Sequence, residues 1–184
     1  MKTKLLMLML ATTLLTTAHA EDKILPKACG SDSVQFDVKT NKSASATQPP
    51  SDGKAKIVFI QTYTIKGGSF LAFGTSDFTT RFGLDGVWAG AAGNNSYFSV
   101  EITPGVHHLC ASVQGSSDAV KDMVGANLLT AEAGKIYYYQ FNALKIHCNG
   151  AGCNYYSSSF GAINPDEGEY RVASSGLSTF SPKH

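Results

Sequence analysis

The sequence lacks an excess of either charge. Its 184 residues include 15 lysines and arginines and 14 aspartates and glutamates, for a formal net charge of +1. Proteins that bind nucleic acid through its phosphates usually carry a strongly basic domain or stripe. The even balance therefore argues against nucleic acid as a partner.

Long hydrophobic runs are missing after the first twenty residues, so we expect no transmembrane segment in the rest of the chain. Met1–Lys4 is positively charged, residues 5–15 are apolar but too short to span a bilayer, and Ala18-His19-Ala20 matches a cleavage site. We predict that residues 1–20 are a signal peptide, with a retained membrane anchor as the alternative. The protein is then exported, periplasmic or secreted, and association with the envelope stays open.

Common catalytic motifs are missing as well. The sequence has no Gly-x-Ser-x-Gly, no His-Glu-x-x-His and no Cys-x-x-Cys, and its glycine-rich stretches match no phosphate-binding spacing. We therefore assign no catalytic residue, no metal ligand and no cofactor. The sequence favours a non-catalytic protein over an enzyme.

The histidines and acidic residues leave an alternative open. His107 and His108 are neighbours on a predicted strand, so we expect one to face solvent and the other to pack or form hydrogen bonds. A hydrolase would need a site built from His108 or His147 together with acids in or near loops. The candidate acids are Asp77, Asp85, Asp118, Asp122 and Glu132.

Four cysteines, all after residue 20, suit an oxidising compartment. Cys148 and Cys153 flank a four-residue loop with two glycines, which permit a tight path. We predict a disulfide there, and Cys29 then pairs with Cys110 by elimination. The alternative for this loop is a zinc site of which His147, Cys148 and Cys153 form a part, although export favours the disulfide.

Alternating apolar and polar residues predict β-strands through most of the chain. Residues 54–63 are apolar on both faces around Ile57–Ile60, which predicts a central strand. Asp85-Gly86 between two apolar runs predicts a tight hairpin, and Pro104-Gly105 predicts another turn. Residues 128–132 and 135–144 are predicted to form a further hairpin.

One helix is predicted near the C-terminus. Asn164 suits the N-cap, Pro165 suits the first helical position, and Glu167 completes a capping box. We expect the helix to run from Pro165 to about Ser174 and to stop near Gly176.

These elements predict a mainly β protein, an antiparallel β-sandwich of about seven to nine strands with one short C-terminal helix. An open barrel is the alternative. We divide the chain into the signal peptide (1–20), an N-terminal strand with a polar linker (21–53) and the sandwich (54–184), which form a single domain overall.

Several motifs together resemble a family of bacterial exported proteins catalogued as domain of unknown function 2846. The resemblance covers about residues 29 to 183. Its motifs are Gly53–Phe59, Leu84–Gly90, Ser96–Val100, Pro104–Cys110, Leu129–Tyr138 and Asp166–Tyr170. A looser similarity links the pattern to small surface β-modules named for a Pro-Glu-Gly-Ala motif, which suggests an Ig-like or similar sandwich. The resemblance implies an envelope or secreted protein without an assigned activity.

Aromatic residues supply the one indication of binding. Tyr138 lies in a run of three tyrosines, Tyr156 follows the cysteine loop, and Trp88 follows the Asp85-Gly86 turn. Exposed rings of this kind stack on sugars or protein surfaces, although cross-strand packing is the alternative. We predict a non-catalytic binding or structural module whose partner is an envelope protein or a glycan. The alternative is an envelope hydrolase or a carbohydrate-binding protein with a loop-built site.

Overall fold

The computed structural model describes residues 26–42, 47–66, 78–115, 120, 122–147 and 154–183, without the side chains of His147 and Asn154. The predicted signal peptide, Asp77, Asp118 and the predicted bridge between Cys148 and Cys153 lie outside these residues. The described ranges hold ten strands and one helix. In chain order they are β1 (Phe36–Asn41), β2 (Ala55–Lys66), β3 (Thr79–Leu84), β4 (Val87–Ala92), β5 (Ser96–Ile102), β6 (Gly105–Gln114), β7 (Val124–Ala131), β8 (Ile136–His147), β9 (Asn154–Ile163), α1 (Pro165–Ala173) and β10 (Gly176–Pro182).

The strands form a β-sandwich of two sheets, which confirms the predicted fold class. The larger sheet has the order β1-β10-β5-β2-β8-β9, and the smaller has the order β4-β3-β6-β7. Most neighbours are antiparallel, but β10 with β5 and β2 with β8 are parallel pairs. Two strands, β9 and β10, had no sequence prediction, since both are rich in serine and glycine and lack a strong apolar alternation.

Aromatic side chains fill the space between the sheets. The ring centroid of Phe59 lies 4.9 Å from that of Phe82 and 5.4 Å from that of Phe98. Phe82 in turn approaches Phe160 on β9, at 6.1 Å. Phe59 and Phe82 are fully buried, and rings at these separations pack favourably beyond their burial.

The predicted central strand is β2, which lies between β5 and β8. Its residues Ile57 and Phe59 face the core, whereas Val58 and Ile60 face the opposite side and pack under α1. Because both faces of β2 are covered at residues 57–60, this part of the strand is a continuous apolar run rather than an alternation.

Only one of the predicted hairpins joins neighbouring strands of a sheet, the Asp85-Gly86 turn between β3 and β4. Asp85 and Gly86 have φ angles of 51° and 90°, the left-handed conformation that this turn requires. The predicted hairpin of residues 128–132 and 135–144 is wrong, since β7 and β8 lie in different sheets. The Pro104-Gly105 turn likewise connects β5 in one sheet to β6 in the other. Alternation alone does not distinguish a hairpin from a crossing between sheets.

The helix α1 forms as predicted. Asn164 Oδ1 accepts a hydrogen bond from the Glu167 backbone N–H at 2.9 Å, and Pro165 occupies the first turn. Gly168 and Val172 are buried against the outer face of the larger sheet, where Gly168 lies directly on the ring of Tyr138. Within the described part of the chain, no helix is long and apolar enough to cross a membrane.

Candidate functional site

The three aromatic residues predicted for a ligand face lie in separate places. Tyr138 is only 4% exposed because α1 covers it, so it is not available to a surface ligand, contrary to the prediction. Tyr156 is half-buried, with its ring centroid 6.0 Å from that of Phe78 and the Lys145 Nζ 5.8 Å above it. Trp88 lies on the smaller sheet. The structure therefore does not bring these three rings together.

Trp88 holds a segment that we call the strap, residues 26–34, against the outer face of the smaller sheet. Its indole Nε1 donates a hydrogen bond to the Ser31 carbonyl at 2.7 Å, and Gly30 lies against its ring. Cys29 in the strap forms a disulfide with the fully buried Cys110 on β6, the pairing predicted for these two cysteines. The strap is thus part of the sandwich, attached by a covalent bond.

A buried arginine adds polar contacts to the strap. Arg81 on β3 is 3% exposed, and its guanidinium lies 4.5 Å from the centroid of the Trp88 ring. Arg81 Nη1 donates to the carbonyls of Asp32 and Val34 at 2.9 and 2.7 Å, and Nη2 donates to Asp32 Oδ1 at 2.7 Å. The guanidinium of Arg81 therefore holds the strap in place rather than binding a ligand.

The two predicted turns meet through one histidine. His107 on β6 is 9% exposed; its Nδ1 lies 2.7 Å from Asp85 Oδ2 and its Nε2 lies 2.7 Å from the Thr103 carbonyl. The other carboxylate oxygen, Asp85 Oδ1, accepts a hydrogen bond from the His108 backbone N–H at 2.8 Å. The Asp85-Gly86 turn and the chain entering the Pro104-Gly105 turn are thereby fastened to each other.

This contact changes how both groups titrate. Burial raises the pKa of Asp85, but the hydrogen bonds from His107 and from the His108 backbone outweigh it and hold the pKa below its ordinary value. Burial lowers the pKa of His107, and the hydrogen bonds to Asp85 and Thr103 outweigh it, so that the pKa is raised. Compared with the unfolded chain, the folded protein therefore favours the ionised carboxylate of Asp85 and the protonated ring of His107.

Both ring nitrogens of His107 face groups that only accept hydrogen bonds, a carboxylate and a carbonyl. The two contacts can both be hydrogen bonds only when both nitrogens carry a proton, and both positions at which the ring could take a proton from a substrate are occupied. A general base needs a nitrogen within reach of the proton that it removes. The contact between Asp85 and His107 is thus suited to holding the two turns together.

His108 has the opposite environment. It is exposed, so the prediction that one histidine faces solvent while the other forms hydrogen bonds is confirmed. It borders a surface cavity of about 250 Å³ that is lined by Lys27, Ala28, Asp85 and His108. This cavity is the one place among the described residues where the structure brings a predicted loop acid beside His108.

Metal-ligating side chains are dispersed in the part of the chain that the structure covers. No group of three or more His, Cys, Asp or Glu side chains there is arranged to hold a metal ion. Asp122 and Glu132, two of the candidate acids, are exposed.

A feature that the sequence did not indicate lies on the outer face of the larger sheet, beside α1. There the strands β2, β8 and β9 present short uncharged polar side chains, which we call the polar face: Thr62, Gln140, Asn142, Ser157 and Ser159. A surface cavity of about 210 Å³ opens on this side, lined by Gln140 and residues 159–163. The surface forms only because β2 pairs with β8, a strand distant from it in sequence, and β8 pairs with β9.

Comparison with known proteins identifies no relative of the chain. No family model, no curated protein and no solved structure matches it. The resemblance described above therefore stays a prediction, and conclusions about function depend on the residues and their geometry.

Proposed function

We propose that the protein is a non-catalytic, exported β-sandwich module with a binding or structural role in a bacterial cell envelope, and a member of the family catalogued as domain of unknown function 2846. The observation that carries the proposal is the contact between Asp85 and His107. A carboxylate and an imidazole placed 2.7 Å apart are the usual parts of a catalytic site, yet here both histidine nitrogens are occupied.

The use of other reactive groups supports the same proposal. Arg81 donates to the strap, the Cys29–Cys110 disulfide attaches it, and aromatic rings fill the interior between the sheets. These side chains stabilise the sandwich itself. The disulfide also suits an oxidising compartment, which supports export.

One observation favours a second candidate, an envelope hydrolase with a loop-built site. The cavity lined by Lys27, Asp85 and His108 contains an exposed imidazole and an amine next to a carboxylate. Asp85 Oδ1 and Oδ2 already accept hydrogen bonds from the His108 backbone and from His107, so the carboxylate is poorly placed to orient the His108 ring. We therefore place this candidate second.

Turnover measurements test the proposal. The purified protein, produced with its N-terminal segment in a bacterium with a periplasm, is assayed with chromogenic esters, phosphates and glycosides. We expect no turnover above that of a His108→Ala variant, an extracytoplasmic location and a mature N-terminus at Glu21. Turnover that the His108→Ala variant loses would establish the hydrolase instead, and a cytoplasmic location of the whole chain would contradict export.

A further inference from the structure

We propose that the polar face binds a neutral oligosaccharide, with the exposed ring of Tyr155 stacking on a sugar at one end. This inference rests on the proposed function, a module that binds rather than catalyses, and it names the surface and the class of ligand.

The strand register defines the polar face as successive rows across β2, β8 and β9. One row contains Thr62, Asn142 and Ser159, which are direct cross-strand neighbours. The next row away from α1 contains Ser157 next to Leu144, and the row beyond that contains Lys66, Ile146 and Tyr155. Neighbouring strands are about 4.8 Å apart, so three strands present a surface about 10 Å wide.

Hydrogen bonds within the face fix the orientation of its amides. Gln140 Nε2 donates to Thr62 Oγ1 at 2.8 Å, and Thr62 Oγ1 donates to Asn142 Oδ1 at 3.2 Å. Gln140 Oε1 and Asn142 Nδ2 then form no hydrogen bond with the described residues and remain for a ligand. An acceptor and a donor held in place by a third side chain lose little freedom on binding.

The cavity beside α1 forms a depression at one end of the polar face. Gly161 lies opposite Gln140 in the strand register, and because it has no side chain, space remains between Gln140, Ser159 and Ile163. Its volume of about 210 Å³ is below the range of about 300–1,000 Å³ that is common for small-molecule pockets. The cavity therefore suits one unit of a longer ligand that continues along the sheet.

Tyr155 gives the direction in which such a ligand would extend. Its side chain is 60% exposed, and it lies four residues from Ser159 on the same face of β9, which is a distance of about 13 Å. An exposed aromatic ring at that distance from hydroxyl and amide groups suits a ligand of more than one sugar ring.

Charge and shape favour a glycan over a protein. The five side chains of the polar face are uncharged hydroxyls and amides, which match neutral sugar hydroxyls. The row of Tyr155 adds one charge, Lys66, at its opposite end on β2. Protein interfaces concentrate their affinity in buried aromatic, aliphatic or arginine anchors. Here α1 covers the apolar cluster around Tyr138, and the remaining aliphatic residues of this face, Leu144 and Ile146, are half-buried. A protein partner is therefore the alternative outcome of the test.

Nuclear magnetic resonance of the mature, oxidised protein provides the test. The probes are neutral oligosaccharides of three to four units, built from glucose, mannose, galactose or N-acetylglucosamine, with sulfated and sialylated oligosaccharides for comparison. We expect neutral probes to shift the side-chain amide signals of Gln140 and Asn142. Asn142→Ala should weaken binding by about tenfold, the loss expected for one or two hydrogen bonds.

A pair of tyrosines on exposed surfaces supplies a matched control. Tyr155→Ala should weaken binding by about tenfold, whereas Tyr170→Ala should not, because Tyr170 is 63% exposed on the side of α1 away from the sheet. Because Tyr155 is exposed, its removal leaves the core intact, so the test does not depend on the folding of the Asn142→Ala variant.

Four outcomes would overturn the inference. They are no signal shift with any probe at millimolar concentration, shifts confined to the smaller sheet, preference for the charged probes, or an envelope protein that binds through Tyr155 in place of sugars. Each of these leaves the proposed non-catalytic module standing. Release of new reducing ends from the probes would contradict the proposed function as well, which makes the two failures distinguishable.

Discussion

At the scale of single residues, the raised pKa of His107 predicts how the free energy of unfolding depends on pH. Its pKa is raised on folding, so its contribution to the free energy of unfolding is complete below the unfolded pKa of about 6.5 and is lost as pH rises through the folded pKa. The pKa of Asp85 is lowered, so its contribution is present above about 3.9 and is lost as pH falls through its folded pKa. We expect the pair to stabilise the fold most between about pH 4 and 6.5, as measured by urea unfolding from pH 3 to pH 9.

An Asp85→Asn variant isolates the charge, since asparagine also tolerates the left-handed backbone at this turn. It should lower the pKa of His107 in an NMR titration and flatten the fall in stability between pH 6 and 8. Asp37→Asn is the control, because Asp37 forms only an exposed contact with Lys183 at 3.6 Å. If the His107 pKa stays unchanged in Asp85→Asn, the assigned pairing is wrong.

The same residues show what sequence can reveal of the site. The sequence identified the Asp85-Gly86 turn from its local chemistry, and it placed His107 and His108 on opposite faces. It did not pair Asp85 with His107, because 22 residues separate them and only the register between β3 and β6 makes them neighbours. The prediction that Tyr138 contributes to a ligand face was wrong for a similar reason. Tyr138 is covered by α1, which lies further along the sequence.

At the scale of elements, Arg81 connects the strap to β3. An Arg81→Met substitution keeps the length and apolar stem of the side chain but removes the hydrogen bonds to Asp32 and Val34. We expect it to lower the free energy of unfolding by about 1.5–3 kcal/mol, the range for hydrogen bonds that involve a charged group. Chemical denaturation monitored by the fluorescence of Trp88 measures the change.

Arg171→Met is the matched control for this substitution. Arg171 on α1 forms a half-exposed contact with Glu167 one turn away, with 2.6 Å between Arg171 Nε and Glu167 Oε1. Exposed pairs of this kind contribute only about 0.3–0.5 kcal/mol. Equal losses in the two variants would show that the strap does not depend on Arg81.

The sequence predicted which segments are strands or helices better than it predicted which strands are neighbours. The Pro165–Ala173 helix follows from its capping residues, and β2 follows from its continuous apolar run. The polar β9 was missed because it is a strand only by pairing with β8, and the two parallel pairs have no local signal at all. The polar face depends on these pairings, so the sequence alone could not indicate it.

At the scale of the whole molecule, the Cys29–Cys110 disulfide closes a loop with a sequence separation of 81 residues. Replacing both cysteines by alanine should lower the free energy of unfolding by about 4–5 kcal/mol, since the unfolded chain regains the freedom that the bridge removes. Denaturant unfolding of the oxidised wild type and of the double variant measures the loss. A loss below about 1 kcal/mol would mean that the strap is held mainly by its noncovalent contacts.

The position of β10 has a consequence for how the protein is made. β10 lies between β1 and β5, so the first described strand has the last one as its sheet neighbour. A nascent chain that ends before residue 176 holds an unpaired β1 and leaves β5 open on that side. The larger sheet is therefore completed only after translation has passed residues 176–182. For an exported chain that crosses a membrane unfolded, this order postpones closure of the larger sheet until residues 176–182 have crossed.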